Sequence, residues 1–498
     1  MRSTARDIRA LGGGAPLRAA YEASKRLGGH TLVFRRLVPQ SAGATPATSP
    51  FEFVDVPEGV RRRTIAAADR IVAGTIELFG RDLQLGDPPQ WHAVIHTEGT
   101  WPAQDWWRID LRSDDRPGDV KWVWELGRHR HLVILARAAH LEPSDERYLD
   151  ALERQLRSWI DGNPPETGVH WYSNLEIALR SIVWLQILSL TEERLSAELR
   201  SDMWNQLRHS GRHLIADLPY SISTMRNNHL LGDALGLMAL GRAFCGTTGD
   251  RWYRIGDRMF NRQLARHIRD DGSMIEDSVS YHRFVLEMLS MRVILGGART
   301  NVTDAMQSAA QFLARLGALK GPVPQYGDWD EGRVFAVADE PARLEGSVLL
   351  ALALAGDGAP PEWRSAHDEV AWFAPEGSPA EPQPAEVNGN DIGAGIGRLE
   401  SGPFAVWLKA GSGPSHGHAD LSSVAIAVGN RWLVGDPGTA MYNGPIETRN
   451  RFRSSAAHNV VRLDQTDQLE PHRVFRWKHS ARGMLGNPIV SGNWATMW

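Results

Sequence analysis

The chain has 498 residues, which is too long for one ordinary hydrophobic core, so two or three domains are expected. A net charge of −4 gives no electrostatic reason to expect a nucleic acid partner, and a single cysteine excludes an intramolecular disulfide. No apolar run is long enough to insert in a membrane and no signal region is visible, so we expect a cytoplasmic protein, or a periplasmic one if the N-terminus is incomplete.

The first 60 residues predict an N-terminal extension, with one helical pattern over Leu17–Leu27 and then a Ser/Thr/Pro-rich connector. Residues 61–374 predict a helical domain, because apolar residues recur there with a helical period between short polar turns. The clearest stretches are 149–160, 175–190, 195–214, 229–244, 252–268, 276–295, 305–316 and 342–354. Helices of similar length joined by short turns indicate antiparallel hairpins, forming either a solenoid or a closed α/α toroid. Periodicity does not choose between these two.

Residues 375–390 have the composition of a linker, and residues 391–498 predict an antiparallel β domain. Short β-branched or alternating runs occupy 405–409, 423–428, 432–434 and 459–463. Gly429-Asn430 is a suitable hairpin turn. The domain is short for its number of strands, so we expect it to be incomplete and a longer gene product to be more soluble.

Three polar motifs could carry chemistry in the helical domain. Asn227, Asn228 and His229 stand at the start of a predicted helix, where an Asn is also a natural N-cap. Tyr281, His282 and Arg283 share the first turns of another helix. Residues 326–332 form an acidic loop bounded by glycine.

A fourth motif, His416-Gly-His418-Ala-Asp420, lies in the β domain and predicts a metal site. His418, Asp436 and His458 come from separate β-segments, and zinc prefers imidazole and carboxylate ligands. Gly417 allows a kink that leaves His416 facing a cleft while His418 binds metal. The alternative is a network of hydrogen-bonded turns.

The residue types favour elimination over glycoside hydrolysis. Hydrolysis normally needs two carboxylates at a defined separation, and those of loop 326–332 lie close together. Elimination from a uronic acid needs a neutralised carboxylate, a base that removes the C5 proton and an acid that protonates the leaving oxygen. Tyr and His can serve as this acid and base when nearby cations lower the pKa of the Tyr hydroxyl. A suitable set is Asn228, His229, Tyr281, Arg283 and His416.

In their order and spacing, these motifs resemble the heparinase II/III and related alginate lyase superfamily. Further matching segments are Asp119 to Arg128, Trp171 to Arg180 and Arg449 to Asn459, so that the resemblance covers residues from about 90 to 470. It implies a multidomain α+β protein with an N-terminal (α/α) toroid followed by an antiparallel β-sandwich. It also implies cleavage of a uronic-acid-containing acidic polysaccharide by β-elimination, which leaves unsaturated uronate ends.

The resemblance also implies residue roles. Tyr281 would be the catalytic acid, and also the base in a syn elimination, while His229 would be the base in an anti elimination. Asn228 and His416 would neutralise the uronate carboxylate. Substrate-binding residues would be Trp171, Glu176, Arg180 and Arg283, and a structural Zn²⁺ would be bound by His418, Asp436 and His458, with no organic cofactor.

One departure and two alternatives bear on this hypothesis. Some family members carry a charged residue three positions after the helix histidine, where this chain has Gly232, which favours the subgroup that relies on Asn. A lyase-like protein with a binding or assembly role in exopolysaccharide biosynthesis would explain the absence of a visible signal region. A zinc hydrolase would give products without a new double bond. The sequence leaves the polymer, its sulfation, the endo or exo mode and the oligomeric state open.

Overall fold

The computed structural model describes most of the chain, in two compact units. The described residues are 15–38, 45–95, 97–111, 113, 115–225, 227–330, 332–338, 344–381, 388–411, 416–439, 445–473, 476–479, 481, 483–486, 489–491 and 494–496. Among them, the first unit takes residues from 1–53, 61–263 and 336–338, and the second takes those from 54–60, 264–335 and 339–498. The domain limits predicted from the sequence, and the incompleteness of the β domain, stay predictions.

The helices follow the apolar periodicity of the sequence. They are α1 (Ala15–Arg26), α2 (Glu58–Val72), α3 (Val120–Gly127), α4 (Arg130–Leu141), α5 (Glu146–Gly162), α6 (Asn174–Thr191), α7 (Ala197–Thr224), α8 (Asn228–Ala243), α9 (Gly246–His267), α10 (Val279–Gly296), α11 (Thr300–Leu316), α12 (Leu344–Ala355), α13 (Pro361–Ala366), α14 (Asp368–Phe373) and α15 (Ile446–Arg453), with a π-helix at Thr31–Leu37. Each helical stretch predicted from the sequence is confirmed as a helix, with limits shifted by a few residues except that α7 continues to Thr224, ten residues beyond the predicted end at 214. Among the described residues, no helix has the length and apolar character that a membrane span requires.

Helices α6 and α8 form the centre of the first unit. Nearly every residue of both helices is buried, and these buried residues include polar ones such as Glu176, Arg180 and Asp233. Gly236 lies so close to Ala178 that a Cβ at position 236 would stand 2.5 Å from the Ala178 Cβ. The absence of a side chain therefore lets the two helix backbones approach closely.

Side-chain caps fix where helices α8 and α10 begin. The Asn227 side chain accepts a hydrogen bond from the His229 backbone N–H, and the Ser278 hydroxyl accepts one from the Tyr281 N–H. Each satisfies an amide that the helix cannot pair internally. The capping alternative for the Asn227-Asn228 pair is thus confirmed for Asn227.

The second unit contains an antiparallel sheet in the order β5 (Asn388–Asp391), β6 (Ile396–Ser401), β7 (Phe404–Lys409), β8 (Ser423–Val428), β9 (Arg431–Val434). The remaining strands form two-stranded pairs: β1 (Thr45–Pro46) with β4 (Phe244–Cys245), β2 (Thr75–Leu78) with β3 (Arg81–Gln84), β10 (Pro471–Arg473) with β11 (Arg476–Trp477), and β12 (Ile489–Ser491) with β13 (Trp494–Thr496). The predicted turn at Gly429 joins β8 to β9, with φ of 55° at the glycine.

The strand predicted over residues 459–463 is wrong. These residues form turns and irregular structure, and the side chains of Val461 and Leu463 are each 78% exposed. Branched apolar residues favour strands when a pleated surface packs on one side of them, and this segment has little burial to supply that.

Candidate active site

A buried carboxylate, Asp328, organises the polar cluster of the second unit. One of its oxygens, Oδ1, accepts hydrogen bonds from His418 Nε2 at 3.1 Å and Thr439 Oγ1 at 3.0 Å. The other, Oδ2, accepts from His416 Nδ1 at 2.9 Å and Arg449 Nη2 at 2.8 Å. Four donors from three parts of the chain, the segment 416–418, Thr439 and Arg449, therefore meet at one side chain.

The backbone of loop 326–332 holds Asp328 in place. Gly327 has φ of 77°, and a Cβ there would stand 2.6 Å from the Asp277 carbonyl oxygen, so the position needs glycine. The Asp328 amide donates to the His416 carbonyl at 2.8 Å. The Ser278 hydroxyl donates to the Asp328 carbonyl at 2.6 Å, which ties the loop to the start of α10.

The charges of this cluster depend on one another. Burial alone would raise the pKa of Asp328, but Arg449 and the two histidines hold it well below its usual range. Burial alone would lower the pKa of His416, but the carboxylates of Asp328 and Glu276 raise it to about 9. Glu276 lies 3.2 Å from His416 Nε2. His416 is therefore a cation at neutral pH, held between two carboxylates.

Tyr281, near the start of α10, contacts the acidic loop 326–332 and His416. Its hydroxyl donates to Asp330 Oδ2 at 2.9 Å. Its ring stacks on the His416 ring, with centroids 3.9 Å apart and an angle of 19° between the planes. The cationic surroundings expected for this phenol thus include one imidazolium, and a carboxylate accepts the hydroxyl hydrogen bond. The structure brings Tyr281 and His416 together, and their catalytic roles stay predictions.

His418, Asp436 and His458 form a possible metal site. One potential ligand atom from each lies within 4.8 Å of the others. His458 Nδ1 is 2.9 Å from Asp436 Oδ2, while His418 Nδ1 and His458 Nε2 are buried and have no hydrogen-bond partner among the described residues. Burial lowers the pKa of His418, which keeps the imidazole neutral, as a metal ligand must be. A turn network alone leaves those two nitrogens unsatisfied, whereas a metal ion would satisfy them.

Asn228 and His229 lie in the first unit, at the start of α8. Asn228 is buried, and His229 is half-buried. Because Asn227 provides the cap, Asn228 is not needed for that role. Their catalytic roles stay predictions.

The four residues predicted to bind substrate are all buried: Trp171, Glu176, Arg180 and Arg283. Glu176 accepts two hydrogen bonds from Arg128, at 2.7 and 2.8 Å. Arg180 donates to the His170 carbonyl, and Arg283 donates to the Gly332 carbonyl at 3.1 Å. This geometry favours a structural role for these side chains, and substrate contact stays a prediction.

Asp328, Glu276 and Arg449 are site residues whose roles the sequence did not reveal. The acidic loop 326–332 was visible, but only as the carboxylate source for an alternative hydrolase. Arg449 was visible only as part of a family motif. The available signal was that acidic loop itself, together with two histidines separated by one glycine.

Two models of one protein family match the chain: "Heparinase II/III N-terminus" over residues 98–314 and "Heparinase II/III-like, C-terminal" over residues 390–490. This chain belongs to the heparinase II/III-like family. Members of this family are polysaccharide lyases. A comparison with curated proteins gives no match.

The crystal structure of a heparinase III is similar to this heparinase II/III-like chain, with a TM-score of 0.56 and 16% identity over 97% of this chain and 72% of the other. A heparan sulfate lyase from Pedobacter heparinus gives a TM-score of 0.48 and 16% identity, over 96% of this chain and 68% of the other. The first similarity confirms the predicted fold class, an α/α toroid followed by an antiparallel β-sandwich.

Proposed function

We propose that this protein is a lyase that cleaves a uronic-acid-containing acidic polysaccharide by β-elimination and leaves unsaturated uronate ends. The observation that carries the proposal is the stacking of Tyr281 on His416 inside a buried cluster of charges. The pair places a phenolic proton beside a cationic imidazole, two of the groups that elimination from a uronate needs.

Each residue has a defined task in this proposal. Tyr281 protonates the departing O4, and in a syn elimination its phenolate also takes the C5 proton. In an anti elimination His229 takes that proton instead. Asn228 and His416 neutralise the uronate carboxylate, which stabilises the enolate-like intermediate. His416 contributes its positive charge, because both of its ring nitrogens already face Asp328 and Glu276.

His418, Asp436 and His458 would hold one Zn²⁺, which supplies a Lewis acid that ties three separate chain segments together. The ligand types suit zinc, because two imidazoles and one carboxylate are among its common protein ligands. The protein's own residues carry out the proton transfers.

Asp328 does not serve as a glycosidase carboxylate in this proposal. Its oxygens already accept four hydrogen bonds, which is about the full capacity of a carboxylate. A hydrolytic acid or base must keep one oxygen available to substrate or water. This argument counts against a glycosidase that uses Asp328, while the zinc hydrolase alternative is tested by its products.

The test is ultraviolet absorbance from the new C4–C5 double bond. Purified protein would be incubated with heparan sulfate, hyaluronan, chondroitin, alginate and bacterial exopolysaccharides. Cleavage without the chromophore would support a hydrolase, and tight binding without cleavage would support an assembly role.

Tyr281→Phe provides the matched variant on any polymer that is cleaved. We expect turnover to fall at least on the order of a hundredfold, the usual contribution of a general acid or base. The control is Tyr148→Phe, since Tyr148 is also a buried tyrosine whose hydroxyl donates to an aspartate, Asp69, at 2.9 Å. Both variants should lose roughly 1 kcal/mol of stability, and only the first should lose turnover. Full turnover by a well-folded Tyr281→Phe protein would remove Tyr281 from the mechanism.

A further inference from the structure

Asp328 connects two groups of residues that have separate tasks. Its Oδ1 accepts from His418, a member of the possible metal site, and its Oδ2 accepts from His416, the partner of Tyr281. The carboxylate is planar and rigid, so the two imidazoles are held at a fixed spacing by one group. A displacement of either ring must therefore be transmitted to the other or break a hydrogen bond.

The hydrogen bond to Asp328 also selects the tautomer of the His418 imidazole. A neutral imidazole that donates from Nε2 carries its lone pair on Nδ1. Nδ1 is the buried atom of His418 that has no hydrogen-bond partner among the described residues. A carboxylate behind a metal-binding histidine is a common way to orient the ring and strengthen the ligand.

Two further donors hold the carboxylate in place. Thr439 donates to Oδ1 and Arg449 to Oδ2, so each oxygen pairs one histidine with one anchoring side chain. The His416 and Asp328 backbones are joined as well, by the 2.8 Å amide-to-carbonyl bond. These contacts prevent Asp328 from turning to follow one histidine and leaving the other.

We propose that Asp328 is a positioning residue that couples occupancy of the metal site formed by His418, Asp436 and His458 to the placement of His416 against Tyr281. Its importance for turnover rests on the proposed lyase function. The coupling itself is a property of the protein without substrate.

The direct test is titration of the metal-stripped full-length protein with zinc chloride, followed by NMR of ¹⁵N-labelled histidine side chains. In the wild type, zinc should shift the imidazole signals of the two histidine ligands and also that of His416, which a His416→Gln spectrum assigns. In Asp328→Asn, zinc should still bind, with affinity weakened roughly 10–100-fold. The His416 signal should then stay at one position throughout the titration.

Glu369→Gln is the matched control, because Glu369 is another buried carboxylate of the same unit and belongs to α14. It should keep the zinc-dependent shift of His416. If Asp328→Asn does not fold, Thr439→Val removes one anchoring hydrogen bond and should reduce the size of that shift. A His416 shift of wild-type size in a folded Asp328→Asn protein, or in Thr439→Val, would overturn the coupling.

Kinetics separate positioning from a purely structural role. On a cleaved polymer, Asp328→Asn should lower kcat at least tenfold with KM little changed, at a temperature where the variant is folded. A merely structural Asp328 would lower the folded fraction and leave the kcat of the folded protein intact, which contradicts the proposal. If no polymer is cleaved while the His416 shift depends on Asp328, the lyase function fails and the coupling stands.

Discussion

In the part of the chain that the structure describes, Glu166 in the first unit and Asp328 in the second are buried carboxylates that each accept hydrogen bonds from two histidines. In the first unit, Glu166 lies 2.7 Å from His209 Nε2 and 2.8 Å from His213 Nδ1. In the second, Asp328 lies 2.9 and 3.1 Å from the two imidazoles of segment 416–418. In both, burial alone would raise the carboxyl pKa, and the histidines help to lower it instead, to about 2 for Glu166.

The two clusters differ in whether a buried histidine nitrogen is left without a hydrogen-bond partner among the described residues. The Glu166 cluster also receives a hydrogen bond from Trp106 Nε1 at 2.7 Å, and within the described residues it is not one of the groups arranged to hold a metal. The Asp328 cluster leaves His418 Nδ1 buried and unbonded beside two more potential ligands. A carboxylate with two histidines is therefore weak evidence of a site. The stronger sign is a buried donor atom left without a partner.

Removing the charge of Glu166 should have the largest effect on stability. Glu166→Gln leaves the buried His213, whose pKa the carboxylate raises against the effect of burial, without its counter-charge. Loss of one partner from a buried pair typically costs roughly 3–5 kcal/mol. Urea unfolding at pH 7 measures it, with Glu198→Gln as control because that side chain is 84% exposed. Equal stabilities of the two variants would show that the Glu166 cluster contributes little.

Metal content should separate the two clusters sharply. The purified protein should contain about one equivalent of zinc, lost in His418→Ala and kept in His213→Ala. Zinc at 100 times its Kd should stabilise the wild type by about 2.7 kcal/mol and have no such effect on His418→Ala. Elemental analysis and thermal melting measure both quantities. If His213→Ala also lost zinc, or if the wild type were equally stable with and without zinc, the two clusters would not differ in metal binding as expected.

Asp233 in α8 provides a third, smaller test, because its carboxyl group is buried inside the first unit. Burial, with a contribution from Asp217, raises the pKa of Asp233 to about 7. The folded state therefore favours the protonated form, and this stabilisation is lost as pH rises through 7. Stability should fall by about 1.4 kcal/mol between pH 6 and pH 8 through this group alone.

The measurement for Asp233 is urea unfolding of wild type and Asp233→Asn at both pH values. The wild type should lose about 1.4 kcal/mol of unfolding free energy relative to Asp233→Asn when the pH rises from 6 to 8. Asp150→Asn, an exposed position of the same unit, should follow the wild type at both values. A pH-independent difference for Asp233→Asn would mean that the carboxyl ionises as readily in the folded chain as in the unfolded one.

The sequence predicted the secondary-structure elements and the group of possible metal ligands better than it predicted the contacts between distant residues. The helical period of α6 to α12, the metal-ligand types at His418, Asp436 and His458, and the turn at Gly429 are local signals, and they need no knowledge of distant partners. The role of Asp328 depends on residues 88 to 121 positions further along the chain, which no local pattern reports. Burial is equally non-local: a motif can match at Glu176 and Arg180 without showing that both side chains face inward.

The order in which Asp328 and its partners are synthesised has a consequence for folding in the cell. The carboxylate leaves the ribosome before His416, and Arg449 follows 121 residues after Asp328. At roughly 5–20 residues per second, synthesis of that interval takes on the order of 6–25 seconds. Until that interval ends, the nascent chain carries the Asp328 carboxylate without its complete set of native counter-charges. The candidate active site is thus assembled late in synthesis, and a chain interrupted before residue 416 would keep the Tyr281 helix while lacking the imidazole against which that tyrosine stacks.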